Sequence, residues 1–283
     1  MSKIVADIMT RDPISYKVPS TVNEIIKSLI KNNITGLPLY DTKGQYAGII
    51  SRRDIFDMPD ETQTAMVMRK AKTVNKNDPI ETAAGEMIRQ DRRHLTVVDD
   101  DNRIVGILTP QNFLKEVTSR YGKKKVKEVL RKRVIPVWEE TPLNVVSLTM
   151  RLSRVYACPV VNKDGEFRGL ITDRDLFENV DVGTSHVLSE AGMADDEDPW
   201  SWDGIRNVIT YLIEKRNLTL PDKPVKSEMI AKPVVTNTNE TLETAVKKME
   251  IGNYNQLPVL QGMGQLADML QDIQILSVFC PEQ

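Results

Sequence analysis

The sequence predicts an α+β chain made of four β-α-β-β-α repeats, and three observations carry that prediction. The stretch GIISRRDIF, Gly48 to Phe56, returns as GLITDRDLF, Gly169 to Phe177, in nearly the same chemical order. Four amphipathic helix starts, at Val22, Ile80, Leu143 and Leu242, each lie 16 residues before the proline position of a short apolar strand, at Pro38, Thr96, Pro159 and Pro258. Unrelated helix–strand pairs would not hold that register, so a repeat is the first thing to test. Between strands, β-branched runs are broken by Gly or Asp turns, which is hairpin chemistry.

Each element follows in order. A first repeat spans 1–60, with the helix TVNEIIKSLI, the strand GLPLYD and the strand that ends in Gly48, Ser51 and Asp54. A second spans 61–120, with PIETAAGEMI, HLTVVD and GILTPQN. The third, 121–180, opens on a basic segment from Lys123 to Arg133 that reads as a charged linker helix, then runs through PLNVVSLTM, CPVVNKDG and the second full motif. Residues 181–223 form an insertion in which Trp202, Ile205, Val208, Ile209, Leu212 and Ile213 share one helical face, an amphipathic helix with Trp200 and Trp202 available to pack or to dock a partner. A fourth repeat covers 224–283. In the first three, the motif glycine follows the helix start by 26 residues; the fourth is read as shortened in VLQGMGQL, with Leu266 and Met269 replacing the glycine and hydroxyl ahead of Asp272. A unit of about 60 residues exposes too much sheet to stand comfortably alone, so the repeats should pair.

Composition limits function. At 283 residues with 40% hydrophobic content the chain can bury a real core, and a net charge of −2 gives no global pull toward nucleic acid or anionic lipid. Two cysteines, Cys158 and Cys280, make neither a disulfide framework nor a metal-ligand spacing. No apolar run reaches membrane-spanning length and no signal-peptide core is present, so a soluble, cytoplasmic protein without a membrane or metal partner is expected.

The repeated motif asks what its hydroxyl and acid do. Ser51 with Asp54, and Thr172 with Asp175, have capping-box spacing where a strand hands over to a helix, which explains them without a ligand. The glycine three residues earlier is not required by a cap. A strand end opening into a helix offers backbone N–H groups to a phosphate, an ionised aspartate can accept from both ribose hydroxyls, and Gly48 or Gly169 would let a ligand approach the strand. Arg53 and Arg174 stand beside the acids. The second copy keeps Gly106 and Thr109 but has Asn112 for the acid, a weaker site; the fourth, with Asp272 alone, should hold no nucleotide in the same pose.

On these residues the chain resembles the CBS (cystathionine-β-synthase) domain family, whose members pair into Bateman modules. The four-repeat layout is similar to that of the gamma subunit of AMP-activated protein kinase and of stand-alone archaeal four-CBS proteins. The resemblance covers almost the whole chain. It implies two modules packed into a disc, and a regulatory AMP, ADP or ATP bound at Gly48, Ser51, Arg53 and Asp54 and at Gly169, Thr172, Arg174 and Asp175. It also implies that Arg92, Arg93 and His94, just before the second repeat's strand, reach the phosphates of the first site.

No nucleophile–base pair, phosphate-binding loop or metal cluster is legible, and the only histidines are His94 and His186. The expected function is therefore a non-enzymatic adenine-nucleotide sensor, acting on a protein partner as a monomer or homodimer. An S-adenosylmethionine sensor and a scaffold or nucleic-acid binder using the basic linker are the alternatives.

Overall fold

A computed structural model of the chain describes residues 3–131, 134–179, 181–190, 210–262 and 264–280. Four copies of one unit are seen. In the first, Tyr16–Lys17 pairs parallel with Gly36–Tyr40, the helix Val22–Lys31 crosses between them, and Tyr46–Ser51 returns antiparallel before the helix Arg52–Asp57. The helix starts where Thr21 accepts from the Glu24 amide and Glu24 reaches back to the Thr21 amide at 2.8 Å, two otherwise orphaned donors satisfied together. Its buried stripe is Val22, Ile25, Ile26 and Leu29. The same order recurs from Val74 to Tyr121, from Val137 to Glu178 and from Thr236 to Phe279.

Strand register tests the repeat alignment directly. Pro38 faces Ile49, Thr96 faces Ile107, Pro159 faces Leu170 and Pro258 faces Met269. One residue on, Gly48, Gly106 and Gly169 face Leu39, Val97 and Val160, and in the fourth repeat Asp268 faces Val259. The fourth hairpin is therefore not shortened. Asp268, Gln271 and Gln274 occupy the positions of glycine, hydroxyl and acid, and Leu266, Met269 and Asp272 do not. Asp272 instead matches Arg52, Pro110 and Asp173, one residue after the hydroxyl. An isolated aspartate drew the sequence alignment two residues out of step, whereas the backbone ladder admits one register.

The segment that opens each repeat docks on the neighbouring repeat. Val5 N donates to Asp78 O and Val22 N to Thr62 O, both at 2.8 Å, while Leu242 N donates to Lys124 O at 2.8 Å and Leu143 N to Lys223 O at 3.0 Å. Repeats one and two thus exchange arms, as do three and four. The arms then run beside the motif strands: Arg69 and Ile49 exchange bonds of 2.9 and 2.8 Å, Ile230 and Leu170 bonds of 3.0 and 2.8 Å, and Thr10–Arg11 joins the second sheet. This gives the motif glycines another reason than ligand access. A Cβ on Gly48 would lie 2.9 Å from the Arg69 carbonyl oxygen, on Gly169 2.6 Å from that of Ile230, and on Gly106 2.5 Å from the Met9 sulfur.

Two helices expected from the sequence take other forms. The charged linker does not form a helix from Lys123 onward: the helix Leu114–Tyr121 stops at Gly122, and among the described residues of the linker only a 3₁₀ turn, Val126–Glu128, follows. Its amides are used elsewhere, Val126 N on Glu240 O and Lys127 N on Thr238 O, because this segment is the third repeat's arm. In the insertion, Thr210–Thr219 is a strand paired antiparallel with Asp181–Glu190, not part of a helix. The β-branched and aromatic run from Thr210 to Ile213 suits a strand as well as a helix, and a partner of equal length decides it. Trp200, Trp202, Ile205, Val208 and Ile209 lie outside the described residues.

The modules meet repeat on repeat. One core cluster unites the second and fourth repeats, with Phe113, Val117, Leu242 and Phe279 among its members, and Phe177 of the third repeat packs into the core of the first. The two motif phenylalanines, Phe56 and Phe177, meet edge-on with centroids 5.8 Å apart. Among the described residues no helix is long and apolar enough to cross a membrane.

Candidate functional site

The strand Tyr46–Ser51 ends on a capping box that holds the Asp54 carboxylate in place. Ser51 donates to Asp54 Oδ2 from its amide at 3.0 Å and from its hydroxyl at 2.6 Å. A cap alone would leave the second carboxylate oxygen spare. Here two arginines from the second repeat add to it: Arg92 reaches Oδ1 at 2.7 Å and Oδ2 at 3.2 Å, and Arg69 Nε reaches Oδ1 at 3.2 Å. Burial alone would raise the Asp54 carboxyl, but Arg92, Ser51 and Arg69 together bring it below the usual carboxylate range. Asp54 is thus an ionised acceptor, 1% exposed, at the edge of a cavity of about 450 Å³. That volume suits a small ligand.

The cavity wall carries more arginines than aspartates. Six arginines and four aspartates line it, the arginines being Arg53, Arg69, Arg92, Arg93, Arg151 and Arg154. His94 adds no charge: burial, reinforced by Arg93, pushes it down to about 3, and the neutral ring shares a 2.7 Å hydrogen bond between Nε2 and the Thr35 hydroxyl. His94 thus lines the cavity as a neutral group bonded to Thr35, not as a cation. Arg93 also has another duty than expected, since its guanidinium is bidentate on Asp272 of the fourth repeat at 3.1 and 2.7 Å, both side chains being buried. Arg53 crosses to the third repeat, donating to the Tyr156 hydroxyl at 2.9 Å and stacking on that ring at 4.4 Å. Arg52 is buried over the Phe177 ring at 5.0 Å.

The other motif copies are built differently. Thr172 donates to Asp175 at 2.8 Å from its amide and 2.7 Å from its hydroxyl, but the positions of Arg69 and Arg92 are filled by Ile230 and Tyr254. Burial raises the Asp175 carboxyl, with the Thr172 bonds opposing. Arg174 forms no ion pair among the described residues. In the second repeat Asn112 caps Thr109 at 2.8 Å and spends its own amide on Ile8 O at 2.9 Å, so the first repeat's arm fills that corner. At the fourth, Gln274 caps the Gln271 amide at 3.1 Å, and neither residue carries charge.

The sequence reading missed Arg69, Arg151, Arg154 and Tyr156. Arg69 could be found only once the arms are known to cross between repeats. Tyr156, Arg151 and Arg154 belong to the other module, and of these only Arg154 leaves a signal in the chain, standing where the other repeats have Asn or Asp. Among the described residues no cluster of His, Cys, Asp and Glu could hold a metal ion.

Comparison with known proteins agrees with this architecture. The CBS domain family model matches residues 5–60, 65–119 and 126–181, together more than half of the chain. A crystal structure of an uncharacterised conserved protein from Pyrococcus horikoshii is 26% identical, with a TM-score of 0.66, covering 98% of this chain and 100% of that one. The crystal structure of protein MJ1225 from Methanocaldococcus jannaschii, proposed as an archaeal homologue of g-AMPK, has the same fold, with a TM-score of 0.77 at 15% identity, 98% of this chain and 100% of that one being covered. In sequence, MJ1225 is 24% identical over 193 residues, 62% of this chain and 69% of its own. An inosine-5'-monophosphate dehydrogenase from the same organism is 34% identical over 111 residues, which are 38% of this chain and only 22% of the enzyme.

Proposed function

Because the chain belongs to the CBS domain family, we propose that it is a non-enzymatic regulatory protein that binds an adenine nucleotide between its first and second repeats, beside Ser51 and Asp54. The carrying observation is the pairing of an ionised, buried carboxylate with arginines around one cavity. Asp54 suits the two hydroxyls of a ribose, and Arg92 and Arg69, freed from it, suit a phosphate in bidentate or single contacts. Adenine comes from the family resemblance; the charges support a ribose and a phosphate. A sulfonium ligand such as S-adenosylmethionine brings a cation to a wall with more arginines than aspartates, which opposes that alternative. The third repeat's motif, without the two arginines, is a weaker nucleotide site. Sensing rather than catalysis fits a cavity whose histidine is neutral, buried and bonded to Thr35. The basic linker is docked as an arm on the fourth repeat, which does not favour a nucleic-acid contact.

Titration calorimetry of the purified protein with AMP, ATP and S-adenosylmethionine tests this. A nucleotide signal lost in Asp54→Ala is the expected result. Tighter binding of S-adenosylmethionine than of either nucleotide, or full nucleotide affinity in Asp54→Ala, would overturn it.

A further inference from the structure

Two of the six arginines on the cavity wall come from neither the first nor the second repeat. Arg151 and Arg154 stand at the end of the third repeat's helix, Leu143–Ser153, and face the same cavity as Ser51 and Asp54 across the module boundary. Their charge is unanswered. Arg92 and Arg69 are on Asp54, Arg93 is on Asp272, and Arg53 holds Tyr156 and lies 3.9 Å from Asp91; among the described residues Arg151 and Arg154 form no ion pair.

Arg154 is also in an unusual place for its type. It ends the helix in the left-handed conformation, φ 54°, with its amide bonded back to Arg151 O and Met150 O. Asn33, Asp91 and Asn253 hold the equivalent position in the other repeats at φ 50°, 49° and 50°. Asn and Asp tolerate that region and Arg is disfavoured there, so the third repeat accepts backbone strain to place a guanidinium at this point. Strain of this kind gathers where a ligand is held.

We infer that Arg151 and Arg154 form a distal-phosphate subsite, so that a nucleoside di- or triphosphate spans from Asp54 to the third repeat and ties the two modules together, while a monophosphate is held by the first module alone. The inference rests on the nucleotide reading of the cavity and adds what the site counts, which is phosphate number. Tyr156 and Arg53 already bridge the boundary beside the cavity, so bound polyphosphate would close a contact that the protein has begun.

The test uses the full chain with the double variant Arg151→Gln, Arg154→Asn, the asparagine being the residue two other repeats use at that backbone position. Calorimetry with AMP, ADP and ATP should show ATP and ADP weakened roughly ten- to a hundredfold, as for loss of charge-assisted bonds, with AMP within about twofold of the parent. Equal losses for AMP and ATP, or none for either, overturn the subsite. If the parent binds no nucleotide, the nucleotide reading fails, and inorganic tripolyphosphate then decides the subsite by itself. Binding to the parent that the double variant weakens supports it, and no binding, or equal binding, overturns it.

Discussion

Removing Arg92 should help one ligand and leave another nearly unchanged. In the structure Arg92 and Asp54 satisfy each other, so a ribose that claims Asp54 must displace two hydrogen bonds of 2.7 and 3.2 Å. A charge-assisted bond contributes about 1.5–3 kcal/mol. With the Arg92 side chain 23% exposed, water takes part of that, and about 2 kcal/mol for the pair is a fair working figure. AMP repays the displacement by giving Arg92 a phosphate. Adenosine cannot. Arg92→Ala should therefore tighten adenosine by up to about thirtyfold, the equivalent of about 2 kcal/mol, and leave AMP nearly unchanged, since the variant loses the phosphate contact together with the displacement it repaid. Calorimetry with both ligands reads this difference, and in the parent protein, compared at low and at high salt, the gap between them should narrow as salt screens the phosphate contact. Parallel losses for AMP and adenosine would show that Arg92 only shapes the cavity, and the hand-over of arginine from carboxylate to phosphate would be wrong.

Other outcomes follow from the same geometry. Asp54→Ala should reduce AMP affinity at least tenfold more than Asp175→Ala, because only the first acid has two arginines that a phosphate can take over; comparable losses in titrations of the two variants would put the sites on an equal footing. Asp272→Ala leaves Arg93 buried without its anion and should destabilise the fold by about 3–5 kcal/mol, whereas Asp272→Leu combined with Arg93→Met should recover most of it. Urea midpoints that fall equally in both variants would argue against an ion-pair origin. His94, held down at about 3, stays neutral in the fold but takes a proton in the unfolded chain below its ordinary 6.5. Its contribution to stability is therefore present above that value and lost as pH falls toward 3, at a limiting slope of about 1.4 kcal/mol per pH unit. His94→Gln, which copies Gln256 of the fourth repeat, should flatten the fall between pH 6.5 and 4.5 in chemical denaturation; a variant that declines in parallel with the parent would assign the loss to carboxylates instead.

What the sequence made legible was local and periodic. The four repeat helix starts, the first three hairpins and the capping box at Ser51 and Asp54 are set by residues a few positions apart, and each is where the spacing puts it. The glycine was seen, but one neighbour that keeps it small, the Arg69 carbonyl, was not, because it arrives from the paired repeat. Asp272 was misplaced for a related cause: with Gln271 and Gln274 standing for hydroxyl and acid, the fourth motif has no residue types to recognise, and only strand register restores it. Arg93 shows the limit most clearly. Its partner Asp272 is 179 positions away, in another module, and nothing in either neighbourhood announces the pair. The odd arginine at position 154, in contrast, was readable in principle by stacking the four repeats and asking which one departs from Asn or Asp.

The exchanged arms bear on how such a chain could be inherited. A lone repeat cut out at 60/61 would carry an arm with nowhere to lie and a sheet edge with nothing beside it. Copying one repeat adds an idle arm and an idle edge, but copying two at once hands on a closed set. Chains of this design are therefore expected to grow by even steps. Length between partners, by contrast, is open to change: the hairpin Asp181–Glu190 with Thr210–Thr219 sits between the third repeat and the arm of the fourth, and that arm still finds Leu143. Lineage can stretch the thread between two partners freely, provided it never separates them.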